Sequence, residues 1–395
     1  MRISSIDSPR WSCAVILILA ACVDAPASVA PALTPQAAAV TDAAADYIVV
    51  LEDSSSDVAG TAIQLGAQAG GPIGVTWSSA IHGFTVRVDA ARAEWLSRQP
   101  GVRFVERDAP VTLQAVQINP PTWGLDRIDQ KALPLDSLYH YKRTGVGVHA
   151  YIIDTGIRGT HVEFIGRMQP GFTAINDGVG TNDCNGHGTH MAGTVGGRTY
   201  GVAKRVWLHP VRVVNCSGGG TIAGVISGVD WVRAKHLSPA VANIAIGGPL
   251  SAALNLAVTN LVLANVVTGV SAGSSNISAC NVSPASAASA LTVSNTTITD
   301  TRHPAANFGP CLDLFAPGTN IRSAWYTSDV ASLVISGTSS SAAFVTGIAA
   351  LAREALPLLT ANQINNSIKA NALTGLVINP GPMSPNRLAF TGWIP

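Results

Sequence analysis

Apolar strand segments alternate with helical segments between residues 147 and 355. The strands are nearly continuous apolar runs, which is typical of strands that are buried on both faces of a parallel sheet. We therefore predict an α/β fold with a parallel sheet and helices on both of its faces. The predicted strands cover 147–153, 206–214, 241–246, 266–270 and 291–293, and the predicted helices cover 221–235, 252–265 and 339–355.

Residues able to carry chemistry follow the ends of these strands. Asp154-Thr155-Gly156 ends the first strand, and glycine-containing loops at 217–220, 247–248 and 271–273 follow later strands or helices. Ligands of open parallel sheets bind at the carboxyl ends of the strands. The sequence therefore predicts a functional site along this edge.

Residues 46–115 predict a separate, smaller unit. Segments 47–51, 81–88 and 102–106 are predicted as strands, and 90–98 is predicted as a helix that ends at Pro100-Gly101. This order predicts a small α+β domain with helices over an antiparallel sheet.

The first 22 residues are typical of an export signal. Arg2 and Arg10 precede an apolar run at 13–21 that is too short to span a membrane. The end of the run, Leu19-Ala20-Ala21-Cys22, resembles a bacterial lipobox, which would leave a lipid on Cys22; an ordinary cleavage site nearby is the alternative. We predict a secreted chain, free or lipid-anchored at the cell envelope through Cys22, without a transmembrane anchor, and a linker at 23–45.

Composition narrows the function further. The net charge of +1 gives no reason to expect a nucleic-acid partner. Hydrophobic residues make up 47% and charged residues 12%, as in a well-buried globular protein, and we expect a monomer.

Four cysteines follow the leader, which predicts two disulfides with three possible pairings. The C-x-x-C spacing of metal clusters is missing from the sequence.

Asp154, His187 and Ser339 are candidates for nucleophilic catalysis. That chemistry needs a base beside a serine and a carboxylate that holds the base in one tautomer. Ser339 follows Gly337 and Thr338 at a predicted helix start, where unpaired N–H groups favour negative charge. Each residue also has a plainer interpretation, as a helix cap, a turn residue or a loop histidine. A metal pair of His187 and His190 lacks the glutamate of H-E-x-x-H sites.

Together these motifs resemble the subtilisin-like serine proteases, specifically their proteinase K-like branch. The likeness extends over 46–390, and the order Asp, His, Ser is the known order of subtilisin. The matching segments are 123–130 (WGLDRIDQ), 153–156 (IDTG), 186–190 (GHGTH), 315–318 (FAPG) and 337–339 (GTS).

The resemblance implies a three-layer subtilisin-like peptidase domain at 116–395. It implies that 46–115 is an inhibitor-type propeptide, removed by cleavage near Ala115–Val116. Asp154 would orient the base, His187 would be the general base and acid, and Ser339 would be the nucleophile. The expected function is a secreted serine endopeptidase that forms an acyl-enzyme.

The resemblance also implies the partners and the disulfides. Protein or peptide substrates would pair with two main-chain edges, with the propeptide as inhibitor. The disulfides would be Cys184–Cys216 and Cys280–Cys311. The expected substrate-binding residues are Ser217, Gly218 and Gly219 on one edge, Ala245, Ile246 and Gly247 on the other, and Ala272 and Gly273 at the pocket floor.

Two calcium sites are implied by the same resemblance. One consists of Asp313 with carbonyls near Ala288 and Ala290, and the other of Asp126, Asp129 and Gln130. Oxygen ligands on ordered loops suit calcium. The alternative is that these carboxylates cap turns or form ion pairs.

Departures from the family pattern predict altered activity. Ser274 stands where the family has the oxyanion asparagine, and Asn276 is the nearest amide that could replace it. Phe344 replaces a histidine behind the nucleophile, so local repacking is expected, and Ala245 replaces a serine. A second hypothesis is therefore a weakened or inactive relative that binds peptides or stays locked to its propeptide. An α/β-hydrolase esterase is excluded because Ser339 is not in a G-x-S-x-G motif and the acid precedes it.

Overall fold

The computed structural model describes residues 43–108 and 115–395, which belong to two compact units, Met1–Pro110 and Val111–Pro395. The predicted leader, the lipobox at Cys22, almost all of the linker and residues 109–114 lie outside the described residues.

The first unit is a small α+β fold. Its four antiparallel strands lie in the order β2-β3-β1-β4. Both helices pack on this sheet around buried apolar residues such as Val49, Phe84 and Leu96. The sequence reasoning missed α1 and β2, although Asp57 and Gly70 cap α1 in the usual way. The elements are β1 (Ala45–Leu51), α1 (Val58–Ala69), β2 (Ile73–Ser78), β3 (His82–Val88), α2 (Ala90–Ser97) and β4 (Val102–Arg107).

The second unit carries the predicted alternation of strands and helices. Its helices are α3 (Trp123–Ile128), α4 (His187–Gly196), α5 (Ile222–Lys235), α6 (Ala252–Leu263), α7 (Thr338–Ala355) and α8 (Ala361–Ala370). Its strands are β5 (Ala115–Ile118), β6 (Leu138–Tyr141), β7 (His149–Asp154), β8 (Phe172–Thr173), β9 (Trp207–Arg212), β10 (Ala240–Ile244), β11 (Gly248–Pro249), β12 (Val266–Ser271), β13 (Val282–Ser283), β14 (Leu291–Thr296), β15 (Leu314–Pro317), β16 (Ile321–Ala324), β17 (Ser332–Ile335), β18 (Leu373–Thr374) and β19 (Arg387–Leu388).

Nine of these strands form one sheet in the order β18-β19-β15-β14-β12-β10-β7-β9-β8. Neighbouring strands from β19 to β8 are parallel, and only β18 is antiparallel. One hydrophobic core joins the sheet to α4 and α7, and a second joins its other face to α5 and α6. The predicted three-layer α/β fold is confirmed. Within the described residues, the helices are too short or too polar to cross a membrane.

Helix α7 is the buried centre of this unit. Every residue from Ser340 to Arg353 is buried. The helix lies so close to the sheet that a Cβ at Gly269 would come within 2.4 Å of Thr346 Oγ1. Phe344 fits because Gly124 leaves room for its ring, and a Cβ at Gly124 would lie 2.3 Å from that ring. The predicted repacking around Phe344 therefore involves α3.

A buried ion pair joins α3 to the loop after β14. The side chain of Arg127 is fully buried, and its guanidinium donates to both oxygens of Asp300 at 2.7 and 2.8 Å. Such a pair is costly to break from one side, because the remaining charge is then buried without a partner.

Asp300→Asn is expected to lower the free energy of unfolding by about 3–5 kcal/mol. Asparagine tolerates the positive φ of 58° at this position, so the loss reports the charge and not backbone strain. Urea unfolding measures it. The exposed pair of Asp329 with Arg158 supplies the control, because Asp329→Asn is expected to cost less than about 1 kcal/mol. Equal losses in the two variants would contradict this assignment.

Two histidines form a hydrogen-bonded pair on β7 and β9. His209 Nδ1 lies 2.8 Å from the carbonyl of Pro170, which can only accept, so Nδ1 carries the proton. His209 Nε2 then accepts from His149 Nδ1 at 2.8 Å. Burial lowers the pKa of His209 to about 4 and also lowers the pKa of His149. Both rings are therefore neutral near pH 7.

The His209 pair is expected to weaken the fold in acid. An unfolded histidine has a pKa of about 6.5, whereas His209 in the folded chain has a pKa of about 4. Between these two pH values His209 is protonated in the unfolded chain and neutral in the folded chain. As the pH is lowered through this range, protonation of His209 in the unfolded chain should reduce the free energy of unfolding by about 1.4 kcal/mol per pH unit. In urea unfolding, His209→Asn should remove that slope, whereas a variant of the exposed His140 should keep it. An unchanged slope in His209→Asn would disprove the assignment.

Candidate active site

Asp154 and His187 are in direct contact at the carboxyl edge of the sheet. Asp154 is the last residue of β7 and is fully buried. His187 Nδ1 lies 2.7 Å from Asp154 Oδ1 and 2.9 Å from Oδ2. The carboxylate can only accept, so Nδ1 carries the proton and Nε2 is left as a base. The His187 side chain is 27% exposed, so it remains accessible to a ligand.

Glycines allow the histidine segment to approach β7. His187 begins helix α4, which the sequence pattern did not predict. Gly186 has a φ of 112°, and a Cβ at Gly188 would lie 2.1 Å from the carbonyl of Gly156. The glycines therefore serve a tight turn and a close contact, and the helix forms beyond them.

Asp183 organises the histidine loop, and the sequence reasoning missed it. It is buried, and its oxygens accept hydrogen bonds from the backbones of Asn185, Gly186 and Thr189. They also accept from the hydroxyl of Thr155, which in turn accepts from the Gly188 N–H. Asp183 thus joins the loops of Asp154 and His187. An aspartate that caps the start of a helix is a detectable signal, although the helix itself was not predicted.

The electrostatics favour a charged imidazole at position 187. Burial lowers the pKa of His187, but the charge and hydrogen bond of Asp154, with Asp183, outweigh burial and leave that pKa above its ordinary value. His190 differs, because burial lowers its pKa to about 3 and its Nε2 is hydrogen-bonded to the carbonyl of Ile321. Since α4 directs His190 into the core, the two histidines do not converge on a metal.

Ser339 lies at the start of α7. The N-cap is Gly337, so no side chain caps the first N–H groups of this helix. Thr338 Oγ1 accepts from the Gly273 N–H at 3.0 Å and ties this turn to the loop after β12. Ser339 Oγ donates to the carbonyl of Ala245 at 2.8 Å, and no hydrogen bond joins it to His187 in the described part of the chain.

A cleft of about 590 Å³ lies beside these residues. Two main-chain edges line it, Gly218–Gly220 on one side and Ala245–Gly248 on the other, with His187 between them. The lining does not include Ser217, Ala272 or Gly273, although the sequence predicted them as substrate contacts. It does not include Ser339 either, although Ser339 is bonded to Ala245 of the lining. The apolar lining that the sequence reasoning missed includes Val214, Ile222, Val225, Pro249, Leu254 and Pro284.

Asn215 shapes the first of these edges and was also missed. Its Oδ1 accepts hydrogen bonds from the backbone N–H groups of Ser217 and Gly219. Its own backbone exchanges bonds with Gly218 and Gly219. A side chain that caps a glycine turn in this way holds the edge without entering the cleft.

Asn307 holds the loop that contains Ser274. Its Nδ2 donates to the carbonyl of Ala272 at 2.8 Å, and its Oδ1 accepts from the N–H groups of Ser275 and Ile277. Ser274 is exposed. Asn276 Oδ1 accepts from Arg302 at 3.1 Å, so a turn of this amide toward Ser339 would break that bond.

The structure contains the disulfides Cys184–Cys216 and Cys280–Cys311. The first joins the loop before His187 to the loop of the Gly218 edge. The second closes the segment that follows the Ser274 loop onto the residues before β15. Both therefore restrain segments next to the cleft.

The candidate calcium residues near the start of the unit keep unused oxygens. Asp126 accepts from the backbones of Asp136 and Ser137, and Asp129 Oδ2 accepts from the His140 N–H. Asp129 Oδ1 and Gln130 Oε1 are buried and have no hydrogen-bond partner within the part of the chain that the structure describes. Burial, with the charges of Asp126 and Asp136, raises the pKa of Asp129 to about 7. These oxygen atoms fit a cation, although no cluster of three or more His, Cys, Asp or Glu side chains gathers within 43–108 and 115–395.

Asp313, the carboxylate of the other implied calcium site, has no free oxygen for a calcium ion. One of its oxygens accepts from the Thr292 N–H at 2.9 Å, and the other lies 3.3 Å from Lys369 Nζ. The ion-pair alternative therefore holds in this structure. The sequence reasoning missed Lys369 because it is 56 positions away in the chain, on a helix that was not predicted.

Comparisons with known proteins agree with this architecture. A profile of the subtilase family matches residues 145–390, and a profile of the peptidase inhibitor I9 family matches residues 46–114. The extracellular serine proteinase of Thermus sp. (strain Rt41A) is 44% identical over 322 residues, 82% of this chain and 78% of that protein. Proteinase R of Parengyodontium album is 36% identical over 370 residues, 92% of each chain.

A solved structure also matches. The crystal structure of a cold adapted subtilisin-like serine proteinase has a TM-score of 0.66 and 46% sequence identity, and the match covers 68% of this chain and 97% of that one. The chain therefore belongs to the subtilase family, and it is a subtilisin-like serine endopeptidase with an inhibitor-type N-terminal propeptide.

Proposed function

We propose that Asp154, His187 and Ser339 form the catalytic triad and that the chain hydrolyses peptide bonds through an acyl-enzyme on Ser339. The observation that carries this proposal is the 2.7 Å hydrogen bond from His187 Nδ1 to the buried carboxylate of Asp154. It leaves Nε2 as the base on a residue that lines the cleft, and the hydroxyl of Ser339 is bonded to Ala245, another residue of that lining.

In the proposed acylation, Ser339 Oγ attacks the scissile carbonyl and its proton passes to His187 Nε2. Asp154 stabilises the imidazolium, and the raised pKa of His187 has the same origin. The leaving amine takes the proton as the peptide C–N bond breaks. Water then attacks the ester and gives its proton to His187 Nε2. The bond between the acyl carbon and Ser339 Oγ breaks, His187 returns the proton to Ser339 Oγ, and the acid is released.

The substrate displaces one hydrogen bond before this step. Ser339 Oγ is bonded to the Ala245 carbonyl, which lies on an edge expected to pair with an extended peptide. A substrate N–H that takes this carbonyl frees the hydroxyl to turn toward His187. Replacement of serine by alanine at 245 leaves this main-chain acceptor intact, so its effect on activity should be mild.

The oxyanion of the tetrahedral intermediate is the weak point of the proposed site. The N–H groups at the start of α7 are free of side-chain caps and can stabilise negative charge there. The second donor would come from position 274, where an exposed serine is shorter than the family asparagine. Asn276 is engaged with Arg302, so it is a poor substitute.

The cleft favours apolar residues in an extended peptide. Its two glycine-rich edges offer main-chain groups, and Val225, Leu254 and Pro284 line the space beside them. We infer a preference for bulky apolar or aromatic side chains in the substrate residues that lie along this cleft.

We infer that the chain is a precursor that cleaves itself near Ala115–Val116. The I9 match at 46–114 ends next to this bond. Ala115 and Val116 are exposed and lie on β5, paired with Tyr141 and His140 of β6, so the new N-terminus would stay attached to the second unit.

Calcium and export complete the proposal. Subtilases commonly bind structural calcium, and we infer a site at Asp126, Asp129 and Gln130, since two buried oxygens there lack partners. A bound calcium ion would neutralise the crowded carboxylates.

We also infer export from the cell, because 1–22 resembles a signal peptide and one of the matched relatives is described as extracellular. Lipid attachment at Cys22 remains a sequence prediction.

The alternative, a relative that only binds peptides, receives less support. The matched relatives are named as proteases, and Asp154 and His187 keep a hydrogen-bonded geometry. The replacement at 274 affects the rate and not the presence of the nucleophile.

Ser339→Ala is expected to block maturation. Wild-type full-length chain should yield a product whose N-terminus lies near Val116, because Ser339 performs the cleavage. The variant should remain at full length, and Ser227→Ala, on the exposed face of α5, should mature normally. N-terminal sequencing and intact mass distinguish these outcomes. Cleavage of both variants at the same bond would show that another protease acts, and the triad assignment would then fail.

Ser274→Asn is expected to raise kcat by about 10²-fold, since loss of the corresponding donor in a subtilisin costs about 10²–10³ in kcat. KM should change little, because the donor acts on the transition state. Ser275→Asn, at the neighbouring exposed position, is the matched control. Steady-state kinetics on a chromogenic peptide measure both, and a kcat for Ser274→Asn that equals the control would contradict the oxyanion assignment.

A further inference from the structure

The Asp313 carboxylate lies in a pocket that α8 closes. Asp313 immediately precedes β15, and its backbone N–H and Oδ2 both bond to Thr292 at the start of β14. Its side chain is only 18% exposed. A carboxylate held in this way needs a cation nearby, because burial of an unpaired charge is unfavourable.

Helix α8 supplies that cation. Lys369, in its last turn, places Nζ 3.3 Å from Asp313 Oδ1, and the lysine side chain is 27% exposed. Asn365, one turn earlier on the same face, donates to the Ser289 carbonyl at 2.9 Å. This face of α8 therefore covers both Asp313 and the segment around Ser289.

A calcium ion does not fit this arrangement. Calcium binds about 6–8 oxygens at roughly 2.3–2.6 Å. Here the Thr292 N–H and the Lys369 ammonium already engage the two carboxylate oxygens of Asp313. A divalent cation at the same carboxylate would also lie beside the ammonium and be repelled by it.

We propose that the Lys369 ammonium takes the place of calcium at Asp313, so that this part of the fold is stabilised by a cation of the chain itself. The Asp129 region differs, because Asp129 Oδ1 and Gln130 Oε1 are buried there without a hydrogen-bond partner among the described residues. The chain should therefore bind calcium near Asp129 and exclude it at Asp313. The exclusion does not depend on the catalytic triad.

Calcium calorimetry on the full-length Ser339→Ala chain, which avoids autolysis, tests the proposal. An Asp129→Asn background removes the other candidate site. In that background we expect no calcium binding to the chain with Lys369 or with Lys369→Arg, which keeps the positive charge. Lys369→Met should bind one additional calcium ion, and a further Asp313→Asn change should abolish it.

Thermal unfolding gives an independent readout. Lys369→Met should melt several degrees lower in chelator and regain the loss in millimolar calcium, whereas Lys369→Arg should respond as the parent does. If Lys369→Met unfolds during purification, Lys369→Gln replaces it. The proposal is wrong if the chain that keeps Lys369 binds calcium and the Asp313→Asn change removes that binding. Failure of both neutral variants to gain a calcium ion would also overturn it.

Discussion

The close packing of α7 against the parallel sheet is the constraint on which the rest of the second unit depends. Small residues on the helix and Gly269 on the sheet allow the two to approach to contact distance. Because the helix is buried along nearly its whole length, its first turn has a fixed position. That position sets Ser339 beside the Ala245 edge and leaves helical N–H groups without side-chain caps. The core, and not the loop before the helix, thus fixes the position of Ser339, the proposed nucleophile.

The partners of Ser339 are positioned by a different means, a hydrogen-bond network around one buried aspartate. Asp183 bonds to the backbone on both sides of His187 and to Thr155 beside Asp154. This network fixes the distance between the base and its carboxylate, and its charge adds to the effect of Asp154 on the pKa of His187. In the same way, the Asn307 side chain forms hydrogen bonds with the backbone of the Ser274 loop, and the Asn215 side chain with the backbone of the Gly218 edge. The site therefore consists of short loops, each held by one polar side chain beneath it.

Charge is balanced differently at the two calcium positions suggested by the family resemblance. At Asp129 the structure leaves buried oxygens that an external cation can use. At Asp313 an ammonium from α8 already pairs with the carboxylate. A single lysine on a peripheral helix can therefore change the ion requirement of one region without altering the sheet.

The sequence by itself determined the α/β class and the central strands and helices of the sheet, and it predicted Asp154, His187 and Ser339 as the catalytic residues. Apolar runs, capping residues and short motifs are local signals, so they can be interpreted without knowledge of distant contacts. Helix α4 was missed because glycines at its start resemble a loop, whereas α1 and α8 were missed although Asp57 and Thr360 cap their first turns. Asp183, Asn307 and Lys369 could not be recognised, because their roles depend on atoms brought near by folding. The sequence thus predicted the class of reaction. Only the tertiary structure decided which polar groups are already hydrogen-bonded or ion-paired, because burial and hydrogen bonding depend on residues far away in the chain.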